Sequence, residues 1–144
     1  EYLVLLADGP LAQLAAEAFA TDPGKGLLAA RFGAATVVVT HVSFGNSRAS
    51  QLQRLAEVAS GTPGATIVAG DFNAGLAAVA SGLGEGFVAC DPGPAIPTRP
   101  RPAGATKSTS IDHVFARGAA PLATTVIDVR GVSDHNIVST NMRA

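Results

Sequence analysis

Short apolar bursts run along this chain, and nearly every one ends in glycine, proline or a cluster of acidic and histidine side chains. Residues 2–6 (YLVLL), closed by Ala-Asp-Gly-Pro, predict a strand and a turn. Residues 11–20 place Leu11, Leu14, Ala15 and Ala18 at helical spacing behind Pro10, a first-turn residue, and predict a helix. Residues 21–26 (TDPGKG) have loop composition. Residues 27–32 and 36–40 (TVVVT) then predict two strands joined by a tight turn at Gly33, a hairpin. Asn46 or Ser47 can cap a helix running to about Ser60, with Leu52, Leu55, Ala56 and Ala59 on one face and Arg48, Gln51 and Arg54 towards water.

The run at 65–69 (ATIVA) follows a Pro-Gly turn and has no polar alternation, the pattern of a strand buried on both faces. Residues 76–81 predict a short helix. Residues 91–109 contain five prolines and no apolar period, so they form a long surface loop of the kind kept for function. Residues 111–116, 122–129 and 137–141 predict three further strands. The total is roughly seven strands and two good helices. Hairpin links mixed with strand-helix-strand links make the sheet mixed, and an apolar sheet face opposite the helices needs a second sheet to cover it.

The polar clusters fall at strand ends. His41 follows TVVVT, and Gly70-Asp71-Phe72-Asn73 follows ATIVA, whereas Asp112 opens one later strand and Ser133-Asp134-His135 precedes another. If the later strands run antiparallel to the earlier ones, all four segments meet on one rim. Leaving a neutral polar group buried and unpaired costs about 2–7 kcal/mol, so polar groups beside the most apolar runs call for an explanation. Three aspartates and an asparagine are hard oxygen donors, suited to Mg²⁺ or Mn²⁺ rather than zinc. Histidine beside carboxylates can take or relay a proton near neutral pH. Together these groups can direct water at phosphorus.

Composition narrows the picture. The 144 residues are one domain's worth of chain, read here as a single domain over 1–144. With 47% apolar and only 15% charged residues, the surface is expected to include an apolar face that needs a partner. The ten Lys and Arg are scattered, so nucleic acid is a possible substrate that charge does not indicate. Cys90 is alone, which excludes an internal disulfide and a cysteine-rich zinc site, and it is read as a small buried apolar residue. No apolar run has the length of a membrane span. The cellular compartment is not legible.

GDFN at 70–73, Ser-Ile-Asp-His-Val-Phe at 110–115, Ser-Asp-His at 133–135 and Thr-His at 40–41 resemble, in order and spacing over about residues 25–141, the endonuclease/exonuclease/phosphatase superfamily of deoxyribonuclease-like metal-dependent phosphoesterases. The resemblance is to the C-terminal half of that fold. It implies an α+β architecture: a mixed β-sheet with helices on one face, half of a four-layer α/β/β/α sandwich. It also implies metal-dependent hydrolysis of a phosphoester, as a phosphodiesterase, nuclease or phosphatase, with His41, Asp71, Asn73, Asp112 and His135 as catalytic residues. Mg²⁺ or Mn²⁺ would be held by Asp71, Asn73 and Asp134.

By the same resemblance, Asp71 would position the attacking water and Asn73 would contact the scissile phosphate. His135 would act as general base or transition-state stabiliser, with Asp112 fixing its tautomer. His41 would donate to a phosphate oxygen or protonate the leaving group. Thr98, in Ile-Pro-Thr, would have a loop-structural role. The family's first-strand Asn and its metal-binding Glu have no counterpart in the sequence. Full activity is therefore expected to need an N-terminal half, or a second subunit, that also covers the apolar sheet face. A non-catalytic module binding a phosphoester or a protein is the alternative. His113 alternates with Asp112 and is expected to pack or to hold an outer hydrogen bond, while Arg99 and Arg101 have two readings, substrate-phosphate recognition or, the one preferred, solvated loop charges.

Overall fold

A computed structural model describes residues 2–93, 96–100 and 108–143. Its main sheet has six strands: β1 (Leu11–Phe19), β2 (Asp22–Phe32), β3 (Ala35–His41), β4 (Ala65–Asp71), β5 (Val88–Ala89) and β6 (Asp112–Arg117). Their order is β1-β2-β3-β4-β6-β5, and only β3 and β4 are parallel. The crossover between those two is α1 (Arg48–Ser60), and α2 (Leu76–Leu83) follows β4. The strands β7 (Ala120–Ile127) and β8 (Ile137–Arg143) form a separate antiparallel pair.

Alternation decides what each face buries. Thr36, Val38 and Thr40 of β3 and Thr66 and Val68 of β4 are buried, whereas Val37, Val39 and Ile67 between them are only partly covered. The buried set meets Leu52, Leu55 and Ala59 of α1 and Val79 and Leu83 of α2, with Phe72, Phe87 and Phe115 filling the space between. Each fully buried Leu, Val or Phe there contributes about 1.5–3 kcal/mol. On the opposite face Val114, Ala116 and Cys90 form a smaller cluster, packed with Ile67, Ala69, Val138 and Met142. The short sheet thus covers the β6 side of that face.

Helix α1 starts without a side-chain cap at Ser47. Its other end is held by Arg117, whose guanidinium donates to the carbonyls of Ala59, Ser60 and Thr62 and to Thr66 Oγ1, and stacks over the Phe87 ring at 5.3 Å. Carbonyls orphaned at a helix C-terminus are thereby satisfied by one cation.

The hairpin at Gly33, helix α1, the central strand at 65–69, the short helix after it and the last three strands follow the sequence-based expectation. Other elements do not. Residues 11–20 form no helix but edge strand β1, since pairing with β2 satisfies the backbone of a segment whose alanines would also have suited a helix. The expected loop at 21–26 is largely the start of β2. Residues 2–6 form no strand, because no strand among the described residues pairs with them, and Tyr2 and Leu6 stand exposed. Gln51, expected towards water, is buried against Ser43 and Thr21. The strand after His135 pairs with β7 rather than joining the main sheet. Arg101 lies outside the described residues.

Candidate active site

The ladder register builds one rim. His41 lies beside Asp71 in the parallel β3–β4 pair, and Asp71 faces Asp112 across the antiparallel β4–β6 pair. Backbone bonds fix the strand exits: Val42 N–H donates to Asp71 O and Phe72 N–H to Ile111 O, each at 2.9 Å. Gly70 allows this closeness. Its φ is +153°, and a Cβ there would sit 1.9 Å from Thr40 O, so no other residue fits between the strands.

The fourth segment leads into the second sheet and is tied in by the Thr98 carbonyl and the buried Asn136 side chain. Thr98 Oγ1 accepts from the N–H groups of both Ile111 and Asp112 at 3.0 Å, holding the start of β6. Thr98 O accepts from Asn136 N at 2.6 Å. Asn136 donates through Nδ2 to Pro97 O and accepts from Val129 N. Thr98 therefore carries out the loop-structural work expected of it. Asn136, not singled out in the sequence, sets the position of His135.

His135 Nδ1 lies 2.9 Å from Asp112 Oδ2 and 3.1 Å from Oδ1, while its Nε2 stands 4.0 Å from Asp71 Oδ2 and 3.9 Å from Asp134 Oδ2. With Nδ1–H donated to Asp112, Nε2 is the nitrogen left to accept a proton. Asp71 Oδ1 accepts from Asn73 N at 2.8 Å, and its Oδ2 is 3.3 Å from His41 Nε2. Burial, and then the charge of Asp112, push the Asp71 carboxyl above the ordinary aspartate range, against the Asn73 N–H and the two histidines.

Asn73 is buried in the left-handed region at φ +48°, with Nδ2 donating to Val42 O at 2.7 Å and lying 3.3 Å from His41 Nε2. Arg48 Nη1 donates to Asn73 O at 2.6 Å and steadies that turn. Asp134 is well exposed and pairs with Arg99 at 3.5 Å. His113 points the other way, as alternation requires: its ring is buried and bonds to Ala74 O at 2.8 Å.

These groups line an open cleft of about 450 Å³ formed by Lys25, His41, Phe44, Asp71, Asn73, Arg99, Asp112, Asp134 and His135. The rim thus brings together all six of the residues read from the sequence. The sequence does not single out Lys25, Phe44 or Arg48, and Arg99, expected as a solvated loop charge, lines the cleft and pairs with Asp134. Nothing local marks Lys25, which meets His41 across 16 positions, or Arg48, which reaches the Asn73 turn across 25. A hard divalent cation fits the donor set: Asp71, Asp112 and His135 offer ligand atoms all within 4.8 Å of one another.

Fold and cleft together define an α+β protein with an Asp/Asn/His site on the edge of a mixed sheet. Residues 8–135 match the Endonuclease/Exonuclease/phosphatase family, and the chain belongs to it. Solved structures with the same fold include D. rerio TDP2 humanized by 14 mutations, at 17% identity and a TM-score of 0.72 over 93% of this chain and 68% of that one. D. rerio TDP2 complexed with single strand DNA product matches at 15% identity, TM-score 0.67, over 93% and 69%. The inositol polyphosphate 5-phosphatase domain of SpSynaptojanin, with inositol (1,4)-bisphosphate and a calcium ion, matches at 13% identity, TM-score 0.64, over 94% of this chain but only 55% of that one. No curated protein sequence matches the chain.

Proposed function

We propose that this chain carries the hydrolytic centre of a divalent-metal-dependent phosphoesterase. The observation that supports this best is the pairing of His135 Nδ1 with Asp112 at 2.9 Å while Nε2 faces Asp71 at 4.0 Å. That separation is one a single water bridges, bonded to both groups. His135 Nε2 then takes the proton as the water oxygen attacks phosphorus, Asp112 stabilises the imidazolium that forms, and the P–O bond to the ester oxygen breaks, that oxygen taking a proton from His41 or from solvent. Asp71 orients the same water and is itself held by the Asn73 N–H. His41 and Asn73 donate to the phosphoryl oxygens.

Of the Asp71, Asp112 and His135 cluster, Asp112 and His135 are committed to each other, so we assign the ion to Asp71, with Asn73 and Asp134 contributing in place of those two. Mg²⁺ or Mn²⁺ bound there would offset charge developing on the phosphoryl oxygens. The TDP2 neighbour with a single strand DNA product and the phosphatase domain with inositol (1,4)-bisphosphate and calcium support phosphoester chemistry without selecting between diester and monoester substrates. The exposed apolar side chains of Tyr2, Val4 and Leu6 support a further segment or a second subunit packing beside them.

The test is hydrolysis of bis(4-nitrophenyl) phosphate and 4-nitrophenyl phosphate by the full-length protein. Release of nitrophenolate that needs Mg²⁺ or Mn²⁺ and is lost in Asp71→Ala and His135→Ala is expected. No hydrolysis at any concentration of either ion would overturn the proposal. Phosphoester binding untouched by both substitutions would instead identify a non-catalytic module.

A further inference from the structure

The cleft carries its cations at opposite ends. Arg99 pairs with Asp134 at one end. At the other, Lys25 Nζ lies 2.9 Å from His41 Nε2 and 3.3 Å from His41 Nδ1. A chain of contacts therefore crosses the rim from Lys25 through His41, Asp71, His135 and Asp134 to Arg99, with steps of 2.9, 3.3, 4.0, 3.9 and 3.5 Å.

The position of Lys25 is built by the fold. Gly26, its neighbour in β2, pairs with His41 on β3, and a Cβ at Gly26 would lie 2.3 Å from Glu17 O on β1. The strand start is anchored as well. Asp22 Oδ1 accepts from Gly24 N at 3.1 Å, and Asp22 Oδ2 accepts from Ser43 Oγ at 2.6 Å. Ser43 is in turn gripped by the buried amide of Gln51, which accepts from Ser43 N at 2.7 Å and donates to Ser43 Oγ at 2.9 Å. A lysine stem usually loses rotamer freedom when it is ordered; here the half-buried stem lies along the cleft wall beside His41.

At His41 Nε2 the Lys25 ammonium is an N–H donor, 2.9 Å away. An ammonium has three hydrogens, so a bond to His41 is compatible with a second bond to a ligand oxygen. The carboxylates of Asp71, Asp112 and Asp134 repel an anion, and a cation opposite Arg99 counters that repulsion on the His41 side.

We propose that Lys25 is a specificity-determining residue that binds an anionic phosphoryl oxygen at the His41 end of the cleft. It would select phosphoesters charged on that side over neutral ones. This inference rests on the phosphoesterase reading of the cleft, but binding tests it without turnover.

The probe is inorganic phosphate, titrated into the full-length protein in the presence of Mg²⁺ and followed by calorimetry, with Lys25→Met, Lys25→Gln and Lys25→Arg compared. A charge-assisted hydrogen bond of the usual strength predicts about tenfold or greater weakening in Lys25→Met and Lys25→Gln. Lys25→Arg should retain most of the affinity, and the ring ¹⁵N shifts of His41 should change in Lys25→Met. Phosphate binding within twofold of the wild type in both neutral variants, or no phosphate binding by the wild type, would overturn the role of Lys25. Lys25-dependent binding by a protein that hydrolyses no phosphoester would support the role and sink the hydrolase reading instead.

Discussion

Asp71 and Asp112 occupy directly opposed positions on the antiparallel β4–β6 ladder, at the end where both strands meet the cleft. Like charges so placed destabilise a sheet. The structure offsets one of them by giving Asp112 the His135 ring, and leaves the Asp71 carboxyl held above its ordinary range by burial and by Asp112. A fold optimised only for stability would not choose this pair.

A stability measurement follows, with a definite sign. Because the folded protein holds the Asp71 proton more tightly than the unfolded chain does, that contribution is full below the ordinary aspartate range and is lost as pH rises through the raised value. Asp71→Asn keeps an oxygen to accept the Asn73 N–H and has no charge to bury. In EDTA it should melt above the wild type at neutral pH, with the two curves converging at pH values where wild-type Asp71 is protonated. Adding Mg²⁺ should raise the wild-type melting temperature and leave the variant's unchanged. A variant less stable than the wild type at neutral pH in EDTA would contradict the burial argument.

The Asp112–His135 pair makes a kinetic prediction. Asp112→Asn puts an amide next to Nδ1, and an amide turned to donate there forces the proton onto Nε2, the nitrogen needed as acceptor. Turnover of the full-length protein on bis(4-nitrophenyl) phosphate should fall about 10²–10⁴-fold, with a much smaller change in KM. His135→Ala should cost a similar factor. The double variant should be no slower than His135→Ala alone, since the two residues act as a unit. Multiplicative losses would mean that Asp112 works independently of the ring.

How much of this was legible in the sequence depended on the range of the interaction. Strand-end chemistry was readable because Asp71 and Asn73 follow their apolar run directly, and because the two-residue period puts His113 opposite Asp112. Long-range contacts were not readable. The segment 11–20 has good helix formers at helical spacing, yet the backbone of β2 offers it a ladder, and Ala15, Glu17 and Phe19 alternate inward as strand residues do. Gln51 looked like a water-facing helix residue because its partners, Ser43 and Thr21, are 8 and 30 positions away. Lys25 reaches His41 across 16 positions for the same reason.

Thr98 separates alignment from chemistry. Its hydroxyl accepts from two backbone N–H groups at the start of β6 and touches none of the cleft's reacting groups. Thr98→Val keeps the shape and leaves both donors unmet in a buried setting, so urea unfolding should show a loss of about 1–3 kcal/mol. Turnover should fall further than the folded fraction does, because the backbone that carries Asp112 loses its side-chain anchor. Thr98→Ser should restore both. A Val variant with reduced stability but full specific activity per folded molecule would show that the anchor is purely structural.

Gly70 tests the rim itself. Thr40 and Gly70 are register partners in the only parallel pair of the main sheet, and their neighbours in the same register are His41 and Asp71. A methyl group at position 70 would have to occupy space 1.9 Å from Thr40 O, at a φ of +153° that side chains avoid. Neither the backbone oxygen nor the strand it belongs to can move without dragging His41 away from Asp71. Gly70→Ala should therefore cost about 3 kcal/mol or more in urea unfolding. Whatever fraction still folds should lose Mg²⁺-dependent turnover, since the 3.3 Å approach of His41 to Asp71 depends on that closeness. A Gly70→Ala protein with wild-type stability would mean that β3 and β4 do not lie as close at this end as the register requires.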